Sequence, residues 1–236
     1  PAKYIQYQEQ YQLPYISDLY AWQNKQMEAT SITKELELKQ AAKIKRKANV
    51  LKNYRGKLKG LKGIDLVNQK FAQEKELQAF INADTSLIKQ YGKMLQNIDM
   101  VYDEFFADAK KFLVLDQVFT SATAFSVANQ VLGLQKKISE AKAENQDKVY
   151  QESKVTILKN AKDAYSTYVL ATDKLLLKRI LLDGLNLSAK EQFNFIKGMP
   201  TAKGTNWDEL LSKHLDRIFS KSEFTEADEI DEIFNL

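Results

Sequence analysis

ANVLKNYRGKLKGL, residues 48–61, is the most informative stretch of this chain because its amide and small residues recur at helical spacing. Two asparagines and two glycines follow one another at steps of four, three and four, which places them on one face of an α-helix. We name this set the amide face: Asn49, Asn53, Gly56 and Gly60. Because a glycine inside a helix costs up to about 1 kcal/mol relative to alanine, two on one face need a reason. The alternatives are close packing of a neighbouring helix and the approach of a ligand or partner domain.

The composition favours helices along the whole chain. Of 236 residues, 44% are hydrophobic and 11% aromatic, which is enough apolar material for a core in one or two domains. Strong helix formers abound, while only three prolines and eight glycines occur. The expected fold class is all-α, a bundle of long antiparallel helices with shorter C-terminal helices. We expect one helical domain over residues 1–236, with the long helices in 1–197 and a loop with short acidic helices in 198–236.

Capping residues and helix breakers predict where individual helices begin and end. Pro14 suits the first turn of a helix. Thr33 is expected to cap a long helix that carries the amide face and ends near Gly63. Asp65 is expected to cap the next helix, and Asp84 or Thr85 the one after it. Nearer the C-terminus, the expected breaks are a capping box of Ser188 with Glu191, the loop 198–204 around Pro200, and helix starts at Thr205 and Thr225.

Charge is distributed very unevenly under a formal net charge of +4. Residues 39–64 contain ten Lys or Arg and no acid, whereas residues 205–236 contain nine Asp or Glu and three Lys or Arg. The basic stretch has three interpretations: a solvated helix face, a nucleic-acid stripe, or a surface for an acidic partner. Tyr54 is the one aromatic residue within it, so base stacking is poorly supported and nucleic acid is the weaker of the partner hypotheses.

The residue inventory excludes most chemistry within this chain. Without cysteine, disulfides, thiolate catalysis and Cys/His metal sites are impossible. The single histidine, His214, lies four residues after Leu210 and four before Ile218, which is a half-buried packing position on a helix. Glycine loops for phosphate, a G-x-S-x-G elbow and Glu-x-x-His pairs are absent from the sequence. We therefore predict no catalytic residue, no metal ligand and no cofactor here.

The hydropathy of the chain argues against a membrane partner. Mean hydropathy is −0.44 and no apolar run reaches the length of a membrane span, so a soluble chain is expected. A sequence that opens PAKYIQ without methionine suggests a mature or trimmed fragment of a longer protein.

Several segments resemble the inserted helical domain of bacterial serine dipeptidyl aminopeptidases. That family is the dipeptidyl peptidase 7 and 11 type, which includes dipeptidyl aminopeptidase BII. The likeness covers nearly the whole chain in short pieces. They are QLPYI at 12–16, the stretch 48–61, DLVNQK at 65–70, EKELQAFI at 74–81, YG at 91–92, Tyr168 with TDK at 172–174, and HLDRIFSKSEF at 214–224.

The resemblance implies a specific role and address. In that family a chymotrypsin-like double β-barrel carries the His-Asp-Ser triad, and the inserted helical domain covers the active-site cleft and helps to hold the free α-amino group of the peptide. Asn49 matches an asparagine that contributes to this grip, Asn53 is the second candidate, and the backbone at Gly56 and Gly60 would allow close approach. The implied partners are peptide N-termini and the barrel of the same parent chain, with a homodimeric parent, in the periplasm or secreted. Neither barrel half nor a triad is present in this sequence.

The residues themselves leave two other classes of function open. One is a nucleic-acid binder that uses residues 39–62. The other is an adaptor or oligomerisation bundle that associates through the phenylalanine-rich region 100–125. Both are non-catalytic helical binding modules, and both are alternatives to a peptidase lid.

Overall fold

The computed structural model describes residues 1–188, 192, 205–222 and 224–234. All regular structure within these ranges is helical, which confirms the predicted all-α, bundle-like fold class. None of the described helices is both long enough and apolar enough to cross a membrane. The helices are α1 (Ala2–Tyr7), α2 (Leu13–Ala29), α3 (Lys34–Gly63), α4 (Leu66–Asn82), α5 (Thr85–Tyr91), α6 (Met94–Thr120), α7 (Thr123–Glu140), α8 (Gln146–Tyr165), α9 (Leu170–Leu185), α10 (Trp207–Phe219) and α11 (Ala227–Ile233).

The backbone groups into two compact units. The first contains Pro1–Asn24 and Arg46–Leu113, and the second contains Lys25–Lys45 and Val114–Leu236. The expected boundary between residues 197 and 198 lies outside the described residues, as do Glu191 of the expected capping box and the loop 198–204. The single-domain organisation therefore stays a prediction.

In the first unit, α1 packs against α4 and against aromatic residues of α6. The Ala2 amide donates a hydrogen bond of 2.8 Å to Glu74 Oε1, and Lys3 Nζ lies 2.6 Å from Asp103 Oδ1. Five aromatic rings pack together here, one of them buried and the other four half-buried. They are Tyr7, which is the buried one, Tyr11, Tyr102, Phe105 and Phe106. These ring contacts hold the first helix of the chain against residues nearly one hundred positions away.

In the second unit, α7 and α8 pack side by side as a helical hairpin, and α11 lies against α8. Their shared core consists of Val127, Ala161, Tyr165 and Ile230. Helix α9 contributes apolar side chains to the core of this unit, and Leu176, Leu177 and Ile180 are fully buried there. The same helix packs against α10. Two ion pairs, Lys174 with Asp216 and Lys178 with Asp208, border that helix pair.

Pro14 lies in the first turn of α2, Leu13–Ala29, as the sequence predicts, but helical backbone already precedes this helix. Helical backbone starts at Ala2 and continues into α2 through a π-helical turn, Gln8–Gln12. Proline lacks an N–H, and its ring crowds the carbonyl group four residues earlier. The π turn ends two residues before Pro14 and contains the carbonyl group four residues before it, so its wider hydrogen-bonding pattern makes room for the proline ring while the backbone stays helical.

Two of the predicted caps are confirmed by hydrogen bonds. Thr33 Oγ1 accepts a bond of 3.5 Å from the Leu36 amide before α3. Asp84 Oδ1 accepts from the amides of Ser86 at 2.7 Å and Leu87 at 3.2 Å at the start of α5. Helix α3 ends at Gly63, as the sequence predicts.

Asp65 differs from its prediction as a cap. It precedes α4 with a φ of 50°, in the left-handed region, and its side chain makes no capping hydrogen bond to the backbone. Both carboxylate oxygens instead accept from Asn68 Nδ2 at 3.0 Å. A short polar side chain tolerates the left-handed conformation that the turn after Gly63 requires.

The last two helix starts shift by one residue from their predicted positions. Asn206, rather than Thr205, caps α10 by accepting a bond of 3.3 Å from the Glu209 amide. Glu226, rather than Thr225, is the N-cap residue of α11 and forms a capping box there. In both cases the residue directly after the predicted threonine provides the side-chain oxygen that accepts a hydrogen bond from the first turn of the helix. The predicted helix starts are therefore wrong by a single residue.

Candidate functional site

The amide face lies on the exposed side of α3. All four of its residues are exposed, and the buried residues of α3 fall on the opposite side of the helix: Gln40, Lys43, Leu51 and Leu61. A Cβ added at Gly56 or Gly60 would meet no atom of the described chain within 4 Å. Close packing of a neighbouring helix therefore does not account for the two glycines within the described residues.

Aromatic contacts attach the opposite side of α3 to α2 in the first unit. The Tyr54 ring stacks on Tyr20 with 6.2 Å between the ring centroids. Lys47 Nζ lies 3.7 Å from the centroid of the same Tyr20 ring, a cation–π geometry. These contacts orient α3 in the first unit so that its amides and glycines stay on the open side.

Exposed cations surround the amide face. They are Lys45, Arg46, Lys52, Lys57 and Lys59. An asparagine side chain offers a neutral oxygen that accepts hydrogen bonds and a nitrogen that donates them. Two such amides beside bare helix backbone can therefore bind a polar main-chain group, while the surrounding lysines disfavour a cation that has no acceptor close by.

His214 lies at a half-buried position on α10, as the sequence predicts. In the part of the chain that the structure describes, no group of three or more His, Cys, Asp or Glu side chains is placed to hold a metal ion.

Asp173 is a buried polar residue to which the sequence assigned no role. It is fully buried on α9, and its Oδ1 and Oδ2 accept hydrogen bonds from the amides of Thr123 at 2.9 Å and Ala124 at 3.3 Å. These are the first two amides of α7, whose N-cap residue, Ala122, has no side-chain acceptor. A carboxylate from a distant helix therefore performs the capping that the local sequence cannot.

Lys43 of α3 joins the same cluster. Its Nζ lies 3.9 Å from Asp173 Oδ1 and 3.5 Å from Thr123 Oγ1. Burial raises the pKa of Asp173, and the charge of Lys43 and the two amide donors oppose that rise. The signal for this cluster in the sequence is that Asp173 is the one acidic residue within the leucine-rich segment 169–182.

Two tyrosines border this buried carboxylate. Tyr165 Oη donates a hydrogen bond of 2.6 Å to the Phe224 carbonyl oxygen. Burial raises the pKa of Tyr165 and of Tyr168, and the negative charge of Asp173 adds to both shifts. Both phenols therefore stay protonated over the range in which proteins are folded, and they serve this region as neutral polar groups.

Comparison with known families identifies one match. A family model described as Peptidase S46, the dipeptidyl peptidase 7/11 family, matches residues 2–235. A search of curated proteins finds no match.

Proposed function

The chain belongs to the peptidase S46 family, a family of secreted or periplasmic dipeptidyl peptidases, and from this premise we propose that it forms the helical lid of such an enzyme. In this proposal the helices cover the active-site cleft, and Asn49 helps to hold the free N-terminus of a peptide, with Asn53 as the second contact. The catalytic triad comes from a chymotrypsin-like barrel in the same parent protein. The enzyme acts in the periplasm or outside the cell.

The exposure of the amide face is the observation that carries this proposal. Two amides and two glycines recur on one side of a 30-residue helix, and that side is open in the described chain. Because exposed mid-helix glycines reduce helix stability, their presence is best explained by a backbone or ligand that approaches α3 closely. A barrel domain with a bound peptide provides both.

The chemistry of a peptide amine fits a neutral acceptor. A protonated amine donates hydrogen bonds, and Asn49 Oδ1 accepts one without introducing a charge. The lysines around the amide face repel the amine, so the opposing negative charge has to come from the barrel. In this arrangement Asn49 of the lid accepts a hydrogen bond from the free amine, and the barrel supplies the negative charge that balances the positive charge of the amine.

The test is the substitution Asn49→Ala in the complete peptidase. Losing one hydrogen bond to a charged group is expected to raise KM about tenfold for peptides with a free N-terminus, because such bonds contribute roughly 1.5 kcal/mol or more. The substitution Asn53→Ala should have a smaller effect in the same direction. Steady-state kinetics on an unblocked dipeptidyl substrate measures both.

A matched control separates this contact from general effects of removing an amide. Asn97 is exposed on α6 in the same unit, and Asn97→Ala should leave KM unchanged. Equal kinetics for Asn49→Ala and Asn97→Ala would remove Asn49 from the site and leave the lid role without its contact residue.

A non-catalytic binding module remains the alternative, and the exposed basic side chains of residues 39–62 are the observation that favours it. Binding to nucleic acid through this stretch would be strongly salt-dependent. A mobility shift at low salt that disappears at high salt would support the alternative, whereas no shift at low salt would dispose of it.

A further inference from the structure

Within the first unit, two cations lie directly beside Asn49 on the surface of α3. Residues three positions apart in a helix are surface neighbours, with about 5–6 Å between their Cβ atoms. Arg46 therefore lies one turn before Asn49 and Lys52 one turn after it, and all three residues are exposed. Lys57 and Lys59 are farther away, about 12 and 15 Å from Asn49 along the helix axis.

Neither of these two cations has a counter-ion close by. Within the residues that the structure describes, the side chains of Arg46 and Lys52 form no ion pair and no hydrogen bond. Residues 39–64 contain no acid, so this stretch of helix supplies no counter-charge of its own. Lys47 differs from them, because it lies over the Tyr20 ring on the opposite side of α3. The positive charge of Arg46 and Lys52 is therefore available to a ligand at Asn49.

The covalent geometry of a peptide places its first side chain beside these cations. In the proposed function Asn49 holds the α-amine of the peptide. The side chain of the N-terminal residue branches from the carbon that carries this amine, so a carboxylate on that side chain lies only a few bonds from the amine. Lysine and arginine have long, flexible side chains that extend well beyond the Cβ spacing of about 5–6 Å. Both cations can therefore reach such a carboxylate.

We infer that Arg46 and Lys52 select peptides whose N-terminal residue is aspartate or glutamate. The barrel balances the charge of the amine in the proposed function, and a carboxylate on the first residue balances the two cations. A lysine at the same place would instead add a third positive charge beside them. This inference rests on the proposed function, because it requires the α-amine to be bound at Asn49.

The first experiment compares substrates of the complete peptidase that differ only in their N-terminal residue: glutamate, its uncharged isostere glutamine, and lysine. The second residue and the leaving group stay the same. KM should be about fivefold lower for glutamate than for glutamine, and higher for lysine than for glutamine. Because the added charge is the same in the ground state and the transition state, kcat should stay within about twofold. Equal KM values for glutamate and glutamine would overturn the inference.

Variants of the complete peptidase test which residues carry this preference. The double variant Arg46→Met with Lys52→Met should bind the glutamate and glutamine substrates equally, and Arg46→Glu with Lys52→Glu should favour the lysine substrate. Lys62→Met is the matched control, because Lys62 is exposed on the same helix but lies about 20 Å from Asn49 along its axis. A glutamate preference that persists in the double methionine variant would overturn the inference. Arg46→Gln with Lys52→Gln replaces that variant if thermal melting shows that it is unfolded.

Salt dependence distinguishes attraction between charges from a preference for shape. Raising the salt concentration from about 0.1 M to about 1 M shortens the Debye length from about 10 Å to about 3 Å. The KM for glutamine divided by the KM for glutamate should therefore fall from about five to below about two in the wild type. A ratio that does not change with salt would show that shape decides the preference and would contradict the inference.

The substitution Asn49→Ala separates this inference from the proposed function. If Asn49→Ala leaves KM unchanged for all three substrates, the proposed function fails. If Asn49→Ala raises KM while the wild type binds glutamate and glutamine substrates alike, only the inference about Arg46 and Lys52 fails.

Discussion

At the residue scale, Asn49 and Asp173 show how burial decides the meaning of a polar side chain. Asn49 is exposed on α3, where its amide can exchange water for a ligand at little cost. Asp173 is fully buried, and a buried carboxylate is stable only if donors surround it, as Thr123, Ala124 and Lys43 do here. An exposed amide such as that of Asn49 is suited to binding a ligand, and a buried, fully surrounded carboxylate such as that of Asp173 is suited to fixing how helices pack.

The burial of Asp173 predicts a pH dependence of stability. Its pKa is raised, so between about pH 4 and the raised value the folded chain holds a proton that the unfolded chain has released. Stability is therefore greatest below that window and falls as the pH rises through it. Urea unfolding of the 236-residue chain across this range measures the fall, which Asp173→Asn should remove.

The control for this titration is an exposed carboxylate. Asp163 is exposed on α8, and Asp163→Asn should keep the wild-type pH dependence. Tyr165 and Tyr168 also interact with Asp173, but burial raises the pKa of both phenols and so moves their ionisation further from the acidic range. A wild-type slope in Asp173→Asn would show that another group controls the transition.

At the element scale, the amide face of α3 contains residues that lower the stability of the helix, and this is the face to which the lid hypothesis assigns ligand contact. Its exposed side carries Gly56 and Gly60 in mid-helix with open space around both. Each costs roughly 0.5–1 kcal/mol relative to alanine. A helix whose only task was to pack in a bundle would gain by replacing them.

Replacing these glycines should separate stability from activity. Gly56→Ala and Gly60→Ala are each expected to stabilise the chain by about 0.5–1 kcal/mol, since a Cβ meets no atom within 4 Å. In the complete peptidase the same changes should lower kcat/KM, because the added methyl groups obstruct close approach to α3. Thermal denaturation and steady-state kinetics on the same variants measure both effects, and undiminished activity would exclude close approach at these positions.

A third glycine provides a contrast of opposite sign. At Gly92 a Cβ would lie 2.6 Å from the Ile88 carbonyl oxygen, too close for any real contact. Gly92→Ala should therefore destabilise the chain by roughly 1–3 kcal/mol through steric overlap. A lower melting temperature for this variant, beside higher ones for Gly56→Ala and Gly60→Ala, would confirm that local space decides the outcome.

At the scale of the whole molecule, the chain belongs to a peptidase family yet carries few residues suited to peptidase chemistry. It has one histidine, no cysteine, and, within the described residues, no acidic cluster that could hold a metal. His214 is half-buried on α10, a helix that packs against α9. This inventory is consistent with the proposed function, in which a barrel elsewhere in the parent protein carries the catalytic triad.

This assignment predicts that His214 is dispensable for catalysis. His214→Ala in the complete peptidase should leave kcat within twofold of the wild type, because the triad histidine belongs to the barrel. The 236-residue chain by itself should release no dipeptide from an unblocked substrate that the complete enzyme cleaves. A loss of kcat of a hundredfold or more in His214→Ala would place this histidine at the active site and contradict the lid hypothesis.

The sequence alone determined the helical class, the ends of α3, two helix caps and the clustering of Asn49, Asn53, Gly56 and Gly60 on one face, because each depends on residues within a few helical turns. Only the tertiary structure decided that this face is open, since exposure depends on which distant helices pack nearby. It also decided that Asp173 caps α7 and pairs with Lys43, contacts that span 50 and 130 positions. No local pattern encodes them, because a single acid in a leucine-rich segment does not reveal which distant groups will surround it.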